Sequence, residues 1–181
     1  GAVADGNASG ADVTVAALAV DATSVGAFDN RLETAAGSLN ARARAGGVYA
    51  IDNDALTVSG ASATNAGIFL TAQGPLSVTG NVTAGGSQVE LAALGSGSLF
   101  SLAAGAAVSG GGVALTGDRM DIQGAIAAPG QAVTLQPHQA GAGMFQIWGT
   151  VDAGQVVVSD GVLRLEAAER LVDTVAVSLG P

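Results

Sequence analysis

The feature that most constrains this 181-residue chain is a phrase it repeats. Leu76-Ser-Val78-Thr-Gly80-Asn-Val82-Thr-Ala84, continuing to Val89-Glu-Leu91, returns as Met120-Asp-Ile122-Gln-Gly124-Ala-Ile126-Ala-Ala128 and Val133-Thr-Leu135. A third copy, one residue shorter, runs from Phe145-Gln-Ile147-Trp-Gly149-Thr-Val151 to Val156-Val-Val158. A blurred copy begins at Phe100-Ser-Leu102, and the start of another stands at Leu56-Thr-Val58-Ser-Gly60. Starting positions 56, 76, 100, 120 and 145 give steps of 20, 24, 20 and 25. Recurrence on that scale marks coils stacked one on the next. Within each phrase apolar and polar residues alternate, which is the periodicity of a strand. The glycines break it into short strands joined at corners. Antiparallel partners would be linked by Asn-Gly or Asp-Gly hairpins, and only Asp160-Gly161 has strand-like residues on both sides.

The expected fold is therefore all-β: a parallel β-helix in which each coil lies in register on its predecessor. Parallel crossovers are right-handed, so the winding is expected to be right-handed too. Dividing the length by a step near 22 predicts about eight coils. At roughly 4.8 Å per coil the rod would be about 40 Å long. Residues 1–55 keep the alternation in Val13-Thr-Val15, Leu18-Ala-Val20, Leu39-Asn-Ala41 and Val48-Tyr-Ala50, which predicts further coils with irregular corners. Around residues 162–171 a helix competes with a strand, because Glu166 and Arg170 stand at a favourable i,i+4 spacing. An antiparallel immunoglobulin-like sandwich is the rival architecture, but its buried Trp and its hairpins are missing. Residues 1–181 read as one β-helix segment, expected to be a fragment of a longer repeat protein.

Composition agrees with many thin layers. Hydrophobic residues make up 49% of the chain but aromatics only 3%, so the core must be Val, Leu, Ile and Ala. The six basic residues are all arginine and face 15 acids, for a net charge of −9. Such a surface argues against nucleic acid, whose phosphates need a basic face. Anionic lipid would repel it as well. No apolar run approaches the roughly 20 residues that cross a bilayer, so membrane insertion is not expected. The absence of cysteine excludes disulfides and thiolate metal sites, and is compatible both with the cytoplasm and with export.

The stretches LSVTGNVTAGGSQVEL, GGVALTGDRMDIQGAIAAPGQAVTL and GVYAIDNDALTVSG resemble the shaft repeats of filamentous-haemagglutinin-like exoproteins. These are large bacterial adhesins exported by two-partner secretion. The resemblance covers roughly residues 13–158 and lies in texture and period. It implies a right-handed β-helix, a Gram-negative source, an outer-membrane secretion partner, and a life secreted or at the cell surface. In such proteins the shaft is a stalk and spacer, and no catalytic residue carries over.

Several groups could carry chemistry. Trp148, the only tryptophan, falls on the outward phase of its repeat. An exposed indole could support a sugar ring, with Gln146 and Asp152 beside it for hydroxyls; alternatively the loop 137–143 covers it. Asp52-Asn53-Asp54 could hold calcium or supply an acid–base pair, although such residues more often stabilise a turn. Asp118-Arg119-Met120-Asp121 is the best enzymatic candidate, yet the coils on either side offer Asp121 only Ser101 and Gln146. His138 is the sole histidine and cannot complete a metal or nucleophile site. Gly85-Gly86 and Gly110-Gly-Gly112 lack the Lys-Ser/Thr of a phosphate loop and serve as corners.

These readings predict a non-enzymatic shaft segment of a surface adhesin, without cofactor or metal, and with a host receptor or glycan as possible partner. A carbohydrate-binding module and a polysaccharide-active β-helix enzyme are the alternatives. The ends of a solenoid leave strand edges unpaired, so uncapped ends are expected to stack or aggregate.

Overall fold

In the repeated phrase, every second residue must find apolar company, and the coil before it supplies that company at the same point of the winding. A computed structural model describes residues 1–7, 10–141, 143–165, 171–172 and 176–179. Among the described residues every regular element is a strand, and all strand pairing is parallel. The chain winds as a β-helix with three walls, here called A, B and C.

The first coil is β1 (Val13–Ala22), followed by Val25 on wall C. The second is β2 (Leu32–Ala43) and β3 (Val48–Asp52), the third β4 (Leu56–Ala63) and β5 (Ile68–Ala72). The fourth has a separate strand for each wall: β6 (Leu76–Val78), β7 (Val82–Ala84) and β8 (Val89–Ala93). So does the fifth, with β9 (Leu99–Leu102), β10 (Ala107–Ser109) and β11 (Val113–Thr116). The sixth is β12 (Arg119–Ile122) and β13 (Ala125–Gln136), the seventh β14 (Gly143–Ile147) and β15 (Val151–Val158). These seven coils are described on all three walls. An eighth is described in part as β16 (Gly161–Leu165), β17 (Leu171–Val172) and β18 (Ala176–Leu179).

One column of wall C threads the whole chain in register: Val3, Val25, Val48, Ile68, Val89, Val113, Val133, Val156 and Val177. Its successive differences run from 20 to 24, the spread already visible in the repeats. Extra residues are absorbed at corners and bulges. The register shifts between Leu39 and Asn40 against Val58 and Gly60, and again where Pro129-Gly130 interrupts β13.

Each full repeat turns six side chains inward, two per wall. In the fourth coil these are Leu76, Val78, Val82, Ala84, Val89 and Leu91, all buried; Phe145, Ile147, Val151, Ala153, Val156 and Val158 do the same in the seventh. Met120, Ile122 and Ile126 also lie inside, where the alternation places them. Stacking like on like removes these side chains from water, about 0.8 kcal/mol for each buried methylene. The ladders meanwhile pair the backbone groups within the wall.

The glycine after the second inward residue has its own reason. At Gly80, Gly124 and Gly149 a Cβ would run into the backbone carbonyl of Ser59, Ala106 and Gly124 respectively. Wall A therefore turns to wall B by close approach of successive backbones. The pair Asp160-Gly161 is likewise a corner and not a hairpin. Asp160 has φ of 55°, and the strand that follows pairs in parallel with β14. Residues 161–165 form a strand, the alternative to the helix; Glu166 and Arg170 lie outside the described residues. No helix among the described residues is long and apolar enough to cross a membrane.

Candidate functional site

The outward residues of wall A form a grid, because register fixes which side chains are neighbours. One outward column runs Leu99, Arg119, Met144, Val162 and the next Ser77, Ser101, Asp121, Gln146, Arg164. Asp121 thus has Ser101 on one side and Gln146 on the other, as the repeats predict. Between the two columns lies a cleft of about 320 Å³, lined by Leu99, Arg119, Met120, Asp121, Met144 and Gln146. Gln123 Nε2 donates to Asp121 Oδ2 at 3.0 Å. Asp121 Oδ1 is shielded from solvent and accepts from nothing; among the described residues the only other such side-chain oxygen is Glu33 Oε2.

Apolar groups gather on the same wall. Met144 is 50% exposed, Val162 60% and Trp148 44%. Trp148 sits at the corner that ends β14, and its amide donates to the Ile122 carbonyl at 2.7 Å. The chain after β13 is drawn toward Asp118, whose Oδ1 accepts from the Gln139 amide at 2.7 Å. Gln146 and Trp148 therefore share one edge of wall A, while Asp152 lies past the Gly149 corner on β15, in wall B.

The other acidic groups divide by burial. Asp52 is fully buried and accepts from Thr34 Oγ1 and the Ala36 amide, each at 2.7 Å, and from the Asp54 amide at 3.0 Å. Asp54 is exposed, so the two carboxylates do not converge. Asp118 is buried too, at the same C-to-A bend three coils on, and its Oδ2 accepts from the Gly97 amide at 2.7 Å. Burial pushes its pKa up, but the amides of Gln139, Gly97 and His138, with the His138 charge, hold it below the ordinary carboxylate value. Arg119, the next residue, is exposed and points the other way. The sequence cluster is thus split between a corner clamp and the outer face. Among the described residues no three His, Cys, Asp or Glu side chains come together as a metal site.

An aromatic ladder on wall C was not legible from the repeats. Tyr49 and Phe69 are register partners with stacked rings, centroids 5.4 Å apart, and Phe28 meets both edge-on at 6.2 and 5.3 Å. Phe28 rides on the excursion between Val25 and Leu32 and is 64% exposed. The signal lies in Gly47-Val-Tyr49 and Gly67-Ile-Phe69, since each ring folds back over the glycine two residues before it. A Cβ at either glycine would strike the ring. Comparison with protein-family models, curated proteins and solved structures finds no match to this chain.

Proposed function

We propose that this chain is a rigid spacer, a shaft segment of a secreted or cell-surface bacterial adhesin, whose work is mechanical and not catalytic. The observation that carries the reading is the unbroken wall C column from Val3 to Val177. A repeat that continues in register through every coil builds length, and among the described residues its inward positions are occupied by buried apolar side chains. The resemblance to haemagglutinin-like shaft repeats supports a Gram-negative surface setting, with export through an outer-membrane partner. The split Asp118–Asp121 pair supports the mechanical side of the reading, since Asp118 is occupied by loop amides and Asp121 stacks on Ser101 and Gln146 instead of other carboxylates.

Deleting residues 76–99 in the source bacterium removes one coil and sets Phe100 where Leu76 stood. The spacer reading expects the shortened protein to remain accessible to antibody and protease on intact cells, with adhesion changed only in degree. Retention of the full-length protein in the cytoplasm, or abolition of all activity by this in-register deletion, would contradict it.

A further inference from the structure

We propose that the outer face of wall A over its last three coils binds an oligosaccharide, laid along β14 from the cleft beside Asp121 to the indole of Trp148. Four observations meet on this face. Asp121 Oδ1 is a carboxylate oxygen out of contact with water and without a donor, an arrangement that costs free energy until a donor arrives. Its neighbours Gln123 and Gln146 carry amides that can donate to or accept from hydroxyls, and Arg119 a guanidinium that can donate to them. Met144 and Trp148 place exposed apolar surface at the two ends of the same strand edge. The cleft itself is open and lies between the two outward columns.

A sugar ring matches this combination, since one face of it presents C–H groups to an indole or thioether while its rim presents hydroxyl donors. A metal ion does not, because Asp121 has no second carboxylate in register beside it and no three ligating side chains converge among the described residues. From Met144 to Trp148 the edge is roughly 13 Å long at strand spacing, which suits more than one ring. Rotation of the Asp121 carboxylate brings Oδ1 to the cleft, where it takes a hydroxyl, and Trp148 carries a further ring. This site is independent of any spacer role, because it uses only outward side chains that the core does not need.

The experiment is a printed glycan array probed with the whole chain, followed by calorimetry with the soluble form of each glycan bound. Quenching of Trp148, the chain's single fluorophore of its kind, gives a second readout. Asp121→Asn and Trp148→Ala should each weaken binding about tenfold, the scale of one charged hydrogen bond, while Asp152→Asn on wall B leaves it unchanged. Unfolding temperatures equal to the parent's show that the variants are folded, and Trp148→Phe stands in if the alanine variant is not. The proposal is overturned if the parent chain binds no glycan, if Asp121→Asn and the tryptophan variant bind as the parent does, or if a chelator abolishes binding.

Discussion

Gly149 has no room for a side chain, because a Cβ there would collide with the Gly124 carbonyl of the preceding coil. Gly60 occupies the matching place in the third coil, but its nearest neighbour is the flexible Asn40 side chain at 3.5 Å. Gly149→Ala should therefore destabilise the fold by about 1–3 kcal/mol through a forced backbone shift, whereas Gly60→Ala should be close to neutral. Thermal unfolding of the two variants separates them, and equal melting temperatures would contradict the close-approach explanation. Asp118 supplies a pH dependence. Its folded-state pKa lies below the ordinary value of 3.8, so its contribution is complete above that pH and is lost as pH falls through the folded value. Amide exchange at Gly97 and Gln139, slow at neutral pH, should accelerate relative to the walls once the pH drops below 3.8. Asp118→Asn should abolish that acid-dependent excess.

At the scale of elements, β1 stands apart. Among the described residues it pairs with β2 along one side only, and its core-phase residues Val15, Leu18 and Val20 are exposed or half-buried although their partners Ala36, Leu39 and Ala41 are buried. Its ten residues offer a parallel edge and an apolar row, the features that make edge strands associate. Sedimentation of residues 1–181 should show concentration-dependent self-association, and Leu18→Lys should reduce it by placing a charge in that row. A monomer at every concentration would contradict this. The element scale also shows what the sequence made legible. The inward columns could be read directly, because Leu, Val and Ile recur at fixed distances from the corner glycines. Residues 1–55 yielded their strands as well, although their corners are irregular. The Phe28 contact could not be read, since it joins an excursion in the first coil to rings in the second and third. The inward turn of Asp118 and the unpaired Asp121 oxygen depend on corner geometry that differs from coil to coil. The outward phase of Gln146 and Trp148 was legible from alternation alone, but the corner separating them from Asp152 was not.

For the whole molecule, the central claim is that sequence distance converts to axial distance at one strand spacing per coil. The outward column Thr57, Ser77, Ser101, Asp121, Gln146, Arg164 is a ruler for this. Pulsed electron–electron resonance between a spin label at Thr57 and a second label at 121, 146 or 164 tests it most directly. The expected separations are roughly 14, 19 and 24 Å, an equal increment of about 4.8 Å at each step despite unequal numbers of intervening residues. Distances that fail to increase in that order, or that track the number of residues between labels, would contradict the stacked parallel register.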